Sequence, residues 1–324
     1  MIDQAAEQDE QALLGGPRQY TKTEAAEAAG VSLARSQRIW LALGFADVDD
    51  SARVFTDGDI AALRSWDALI ASGAIAAADE LSHVRAIGQT MSRLADWQVR
   101  ELMTRVAEVE GSDDTARAAA AAAVTAEMLP VIESLMSYTW RRHLAAAVGR
   151  ILATSAGELS TATAVIGFAD IVGYTSIVRH SGVDELAALL ESFEVNAAET
   201  IAGSHGRVVK SLGDEVLFVA DTAQDAAEIA VRLSDPARAA RGLPQLRVGM
   251  ALGRVLARFG DVYGPAVNLA SRLTSLARPG TVLVDRELAR ALRGDDAYRL
   301  QPRRPAAVRG YSHLRSWSLR PRAG

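Results

Sequence analysis

Two aspartates stand at the ends of apolar runs that have the composition of β-strands. Asp170 follows the run Ala164–Phe168, and Asp214 lies in a Gly-Asp turn between the runs Arg207–Ser211 and Val216–Val219. Mg²⁺ and Mn²⁺ prefer carboxylate oxygens, and the chain contains no cysteine that could supply a thiolate instead. The pair could therefore bind a hard cation, although each aspartate alone is more typical of an ordinary turn.

A second set of polar residues lies on a predicted helix, Ala266–Leu276. Asn268 and Arg272 are one helical turn apart on it and so share a face. Other positions form the apolar stripe of this helix, namely Val267, Leu269, Ala270 and Leu273. Packing gives no reason for an asparagine and an arginine on the neighbouring face. A phosphate ester would give one, because guanidinium groups bind phosphate oxygens.

Three motifs contain these residues and follow one another along the chain. F-x-D-x-x-G-Y-T begins at Phe168, K-x-x-G-D-E at Lys210 and D-x-x-G-x-x-V-N-x-A-S-R at Asp261. Together they resemble the catalytic domain of class III nucleotidyl cyclases, over roughly residues 160–320. The resemblance implies a ferredoxin-like α+β fold that works as a head-to-tail homodimer. It also implies an adenylate cyclase that makes 3′,5′-cyclic AMP from ATP with two Mg²⁺ or Mn²⁺ ions per site.

The resemblance assigns a role to each matching position. Metal positions fall on Asp170, Ile171 and Asp214. Asn268 would orient the ribose, and Arg272 would stabilise the charge that builds on the α-phosphate in the transition state. Each site would take its metal ligands from one chain and its base and ribose contacts from the other.

Lys210 and Asp261 occupy the two positions that read the base in the family. Adenine presents an acceptor at N1 and a donor at its 6-amino group, which match a lysine donor and an aspartate acceptor. Guanine presents the reverse pattern, so ATP is the expected substrate. Of the 35 basic residues only Lys22 and Lys210 are lysines, which favours a specific role for Lys210. Arg309 matches loosely a family lysine that reaches the triphosphate.

Alternating strands and helices are predicted to position these residues in the C-terminal part of the chain. Besides the strands already named, strands are predicted over Leu246–Leu252 and Thr281–Val284. Further helices are predicted over Val183–Ile201, Thr222–Leu233 and Asp285–Leu292.

Residues 20–149 show only helical spacing of apolar residues. The first predicted helix begins with a capping box, Thr21 and Glu24, and ends at Gly30, after which Ser32 begins the second. This start resembles a MerR-type helix-turn-helix. Two later helices are predicted, one running to Pro130 and one over Val131–Ala153.

The change of pattern near residues 154–163 predicts two domains. Residues 1–156 form an all-α domain that ends in a linker helix, and residues 157–324 form the catalytic domain. The all-α domain resembles the regulatory domain of some actinobacterial class III cyclases, which implies dimerisation and control of the catalytic pair.

Composition and charge bear on which other functions the chain could have. Residues 1–60 contain eleven acidic and five basic residues, which disfavours binding to nucleic acid and hence a DNA-binding regulator with a nucleotide-sensing C-terminal domain. A catalytically quiet signalling module of the cyclase type is the third alternative. The acidic first eleven residues and the lack of any apolar stretch of about 20 residues predict a cytoplasmic protein that does not enter a membrane.

Overall fold

The computed structural model describes residues 10–11, 13–107, 114–153, 161–258 and 260–322. The chain divides into two compact units, Met1–Gly149 and Arg150–Gly324. The domain boundary predicted between residues 156 and 157 falls in the segment 154–160, which lies outside the described residues. Among the described helices, none is both long and apolar enough to cross a membrane.

The first unit is helical, as the spacing of its apolar residues predicts. Its helices α1 to α5 are Lys22–Ala29, Leu33–Leu43, Asp57–Ala71, Glu80–Ala107 and Asp114–Ala153. Thr21 and Glu24 form the predicted capping box of α1, and Ser32 caps α2 by accepting a hydrogen bond from the backbone of Arg35. Gly30 ends α1 with a φ of 76°, a conformation that favours glycine. The likeness to a MerR-type module stays a prediction.

Arg35 connects three helices of the first unit. From α2 its guanidinium donates to Glu80 at the start of α4, with an Nη2 to Oε1 distance of 2.6 Å, and also to Asp67 in α3. Ile39, Leu63 and other apolar residues beside it form a buried core. Arg35 is therefore held by carboxylates of its own unit, which weakens the case for DNA binding further.

The prediction of two helices separated at Pro130 is wrong. Helix α5 runs without interruption from Asp114 to Ala153 and contains Pro130 in its interior. A proline in a helix removes one backbone hydrogen bond and clashes with the preceding turn, at a cost of about 3 kcal/mol. Strong helix formers on both sides, alanine above all, offset this cost.

The second unit contains an eight-stranded mixed sheet with helices. The sheet order is β2-β3-β1-β4-β6-β10-β7, and β5 pairs with β4. The strands β1 to β10 are Thr161–Ile171, Gly206–Ser211, Glu215–Ala220, Leu246–Arg258, Asp261–Tyr263, Val282–Val284, Tyr298–Pro302, Ala306–Val308, Tyr311–Leu314 and Trp317–Pro321. The helices α6 to α10 are Tyr174–His180, Val183–Gly203, Ala223–Leu233, Pro265–Leu276 and Arg286–Ala291. Strands β8 and β9 form a separate hairpin. The predicted α+β class with an all-α first part is confirmed.

Strand β1 separates two apolar cores because its successive side chains point to opposite faces of the sheet. Val165 and Ala169 pack in the core that contains residues of α7 and α8, such as Phe193 and Ile229. Ile166 belongs to the other core, which includes residues of α9. The strand therefore carries apolar residues at nearly every position, as expected of a central strand with both faces covered.

Helix α9 lies unusually close to strand β4 at Gly249. A Cβ atom at this position would lie 2.1 Å from the backbone nitrogen of Thr274 and 2.6 Å from the carbonyl oxygen of Ala270. No side chain larger than hydrogen fits there. Gly249 therefore allows α9, the helix that carries Asn268 and Arg272, to pack closely against β4.

Candidate active site

A row of charged side chains crosses three neighbouring strands at one end of the sheet. Asp170 on β1 lies directly opposite Glu215 on β3 and Arg247 on β4. Residues directly opposite in an antiparallel pair point to the same face, so all three side chains lie side by side. Both Nε and Nη2 of Arg247 donate to Oδ2 of Asp170, the first at 2.7 Å.

Asp214 completes this cluster from the turn between β2 and β3. Gly213 has a φ of 71°, and the backbone N–H of Leu212 donates to the carbonyl of Glu215 at 2.7 Å, which closes the hairpin. The backbone N–H of Ile171 donates to the carbonyl of Asp214 at 2.9 Å. The three predicted metal positions, Asp170, Ile171 and Asp214, are therefore neighbours in the structure.

Burial and like charges perturb the carboxyls of this cluster. Burial raises the pKa of Asp170, Arg247 opposes this, and Asp214 raises the pKa further. Burial also raises the pKa of Glu215 to about 7, and the negative charges of Asp170 and Asp214 add to this effect. A cluster in which carboxylates repel one another is an environment that a bound cation would stabilise.

The carboxylates of this cluster meet part of what a divalent-metal site requires. Within the described ranges, no group of three or more aspartate, glutamate or histidine side chains is arranged to hold a metal ion. Asp170 and Asp214 supply two hard oxygen donors, and Mg²⁺ is commonly bound by one or two carboxylates together with substrate phosphates. The two aspartates therefore suit metals that arrive with a phosphate substrate.

Lys210 and Asp261 meet, although their strands β2 and β5 are not paired in the sheet. The Lys210 Nζ atom lies 2.5 Å from Oδ2 of Asp261. The other oxygen of Asp261 accepts from the backbone N–H of Val262 at 2.8 Å, which fixes the carboxylate. The two side chains are 37% and 23% exposed, so a ligand can reach them.

Asn268, Arg272 and Arg309 stand apart from these contacts. Asn268 is exposed and Arg272 half-buried on α9, and Arg309 is exposed in the turn between β8 and β9. In the part of the chain that the structure describes, none of the three side chains bonds to Asp170, Asp214, Lys210 or Asp261. A single chain thus forms the carboxylate cluster and the Lys210–Asp261 pair as two separate groups.

Glu215 and Arg247 belong to this cluster but were not predicted from the sequence. Glu215 is the last residue of the K-x-x-G-D-E motif, so its position next to Asp214 could have drawn attention to it. Arg247 lies outside all three motifs, and its contact with Asp170 depends on the register between β1 and β4. Only the paired strands reveal it.

The chain is similar in sequence to known cyclases. The family described as "Adenylate and Guanylate cyclase catalytic domain" matches residues 158–321. An adenylate cyclase of Glutamicibacter nicotianae is 37% identical over 96% of this chain and 81% of its own length. An adenylate cyclase of Streptomyces coelicolor is 41% identical over 86% of this chain and 73% of its own. The catalytic core of a rhodopsin-guanylyl cyclase with converted specificity, solved with ATPαS, is 21% identical over 51% of this chain and 98% of that one, with a TM-score of 0.46.

The chain therefore belongs to the adenylate and guanylate cyclase catalytic domain family. The predicted membership in the class III cyclases, with actinobacterial relatives, is confirmed, and so is the prediction of an enzyme. The cytoplasmic location and the individual site roles stay predictions.

Proposed function

We propose that the protein is an adenylate cyclase that converts ATP into 3′,5′-cyclic AMP and pyrophosphate. The contact of 2.5 Å between Lys210 and Asp261 carries this proposal. It sets one donor and one acceptor side by side, and adenine presents an acceptor and a donor side by side at N1 and the 6-amino group. Guanine presents the opposite order, which would set donor against donor and acceptor against acceptor.

The reaction needs one bond to form and one to break. The ribose 3′-oxygen attacks the α-phosphorus, the bond from that phosphorus to the bridging oxygen breaks, and pyrophosphate leaves while the 3′-hydroxyl proton passes to solvent. Asn268 orients the ribose so that the 3′-oxygen faces the phosphorus. Arg272 binds the α-phosphoryl oxygens as their charge rises. Arg309 contacts the outer phosphates.

Asp170, the backbone of Ile171 and Asp214 are proposed to hold two Mg²⁺ or Mn²⁺ ions. Such ions lower the pKa of a bound hydroxyl and neutralise phosphate charge. Arg247 already gives Asp170 a positive counter-charge, so it would compete with a metal for this carboxylate. Both Arg247 contacts go to Oδ2, which leaves Oδ1 of Asp170 for a metal.

We infer that two copies of the chain form each site. Asn268 and Arg272 have no side-chain bond to the carboxylate cluster of their own chain within the described residues. A head-to-tail pair would supply them to the metal ligands of the partner, and a C2 axis would create two equivalent sites.

Exposed apolar residues on α5 support such pairing. Met128, Val131, Leu135 and Tyr138 are 42%, 58%, 57% and 62% exposed and follow one another at intervals of three, four and three residues. This spacing makes one continuous seam along a helix, as in a coiled coil. A seam of this kind is stable only when a partner covers it. The matching seam on a second copy is the proposed cover.

The first unit is proposed to control the catalytic unit through the same helix. Helix α5 continues to Ala153, past the division between the units at Gly149 and Arg150. The segment Trp140–His143 lies within it, so a rotation of paired α5 helices would turn the catalytic units relative to each other.

The substrate assignment is tested with the full chain and Mn²⁺. Cyclic nucleotide formation from ATP should exceed formation from GTP in kcat/KM. The double variant Lys210→Glu with Asp261→Cys should lose most of this preference, while the exposed-residue control Arg179→Gln keeps it. Equal use of GTP by the unmodified chain would contradict the assignment.

A further inference from the structure

A cavity of about 540 Å³ in the second unit holds a concentration of arginine that the proposed reaction does not use. It lies between α10, the edge strand β7 and the strand β10 beside it. Its volume is within the range of small-molecule sites. The six arginines that line it are Arg286, Arg290, Arg293, Arg299, Arg315 and Arg322.

Few carboxylates balance this charge. Arg290 pairs with Glu287 at 2.9 Å, and Arg322 pairs with Asp296 at 2.7 Å. The other four arginines form no ion pair within the described residues, and Asp295 is the single carboxylate that lines the cavity. The six arginines and one aspartate that line the cavity sum to a charge of +5, whereas the whole chain has a net charge of −5.

Three of the six arginines lie close together along the chain. Arg286 and Arg290 are four residues apart on α10, and Arg293 follows in the turn after the helix. Like charges at this spacing repel and destabilise a helix. Arg299 on the neighbouring edge strand adds to the repulsion. A bound anion would add an attraction to each of these guanidinium groups and so offset their repulsion.

We propose that this cavity binds a small polyphosphate, either free or as part of a nucleotide. Each guanidinium group can donate two parallel hydrogen bonds to the oxygens of one phosphate. Several arginines therefore match a chain of phosphates better than a single anion. Tyr298 and Trp317, both half-buried, add aromatic walls that suit a nucleoside. The concave shape favours a small ligand over a nucleic-acid strand.

This site is distinct from the proposed active site. None of Asp170, Asp214, Lys210, Asp261, Asn268 and Arg272 lines the cavity. Binding here therefore does not depend on the proposed cyclase reaction, and it can be measured without divalent metal.

Isothermal titration of the full chain with tripolyphosphate in EDTA tests the proposal, and ATP is the second ligand. The double variant Arg286→Gln with Arg299→Gln should weaken tripolyphosphate binding at least about tenfold, because charge-assisted hydrogen bonds contribute strongly. Arg293→Gln with Arg315→Gln should do the same. Since these side chains are exposed, both variants should keep the melting temperature of the parent.

The matched control is Arg303→Gln with Arg304→Gln. These exposed arginines line a different cavity, of about 530 Å³, so the control removes the same charge elsewhere on the same unit. Unchanged binding in the control supports the proposal. Equal loss in the control, no binding of tripolyphosphate, or binding of a single-stranded oligonucleotide alone would overturn it. ATP binding that exceeds tripolyphosphate binding and is weakened by the same two pairs of cavity substitutions would identify a nucleotide as the ligand, because the proposed active site keeps all its residues in those variants.

Discussion

Arg247 and Asp170 are directly opposed on strands β4 and β1, and both guanidinium contacts reach a single oxygen of the carboxylate, Oδ2. Arg247 therefore already neutralises part of the charge of Asp170, which is a proposed metal ligand. Two cations near one carboxylate compete for its charge.

Replacing Arg247 by glutamine should tighten metal binding. Removal of a positive charge next to Asp170 increases the attraction for Mn²⁺, and a gain of about 1.4 kcal/mol corresponds to tenfold in affinity. Manganese titration followed by electron paramagnetic resonance measures this. The control Arg320→Gln removes an exposed charge on β10 and should leave affinity unchanged. Weaker binding by Arg247→Gln would show that the arginine supports the metal site instead.

Glu215 should make the metal-free protein less stable as the pH rises. Its pKa is about 7 in the folded chain and 4.5 in the reference state, so the folded chain keeps a proton that the unfolded chain releases. The stabilising effect of that proton is present below pH 4.5 and is lost as the pH rises towards 7.

Glu215→Gln removes this dependence because glutamine does not titrate. Urea unfolding in EDTA should show that the variant gains stability relative to the parent between pH 5 and pH 8. If the free energy of unfolding differed between variant and parent by the same amount at pH 5 and at pH 8, the raised pKa of Glu215 would be contradicted.

Gly249→Ala should destabilise the second unit. Its new methyl group would lie 2.1 Å from the backbone of Thr274, so helix α9 would have to move away from β4, at a cost of about 1–3 kcal/mol or more. Gly253→Ala on the same strand is the matched control, because its methyl would lie 3.1 Å from the Cβ atom of Ala266. Thermal unfolding measures the loss of stability in each variant. A larger loss in Gly253→Ala than in Gly249→Ala would contradict the close packing of α9 on β4.

The motifs predicted the site better than they predicted its surroundings. Asp170 and Asp214 could be named from residue type and position, and Lys210 and Asp261 from the resemblance to the cyclase family. The structure brings the four into two groups. Arg247 could not be named, because an arginine 77 positions away in the chain becomes a partner only through strand register.

Four strands and the course of one helix differ from what the sequence predicted. The segment after Arg293 forms β7 to β10. Tyr298 and Leu300, and likewise Trp317 and Leu319, do alternate with polar residues, but these runs are short and rich in arginine, so only their pairing in the sheet identifies them as strands. Pro130 predicted a helix end that does not occur, because one lost hydrogen bond does not outweigh the helix formers on both sides.

Mixing two inactive variants tests the shared adenylate cyclase site most directly. Asp170→Ala removes a metal ligand, and Arg272→Ala removes a phosphate contact from the opposite side of the proposed site. After the two proteins are mixed and allowed to exchange subunits, half of the dimers contain one intact site, so cyclic AMP formation from ATP with Mn²⁺ should recover to about a quarter of the parent rate. If mixed dimers form and no cyclic AMP appears, two chains do not share the site.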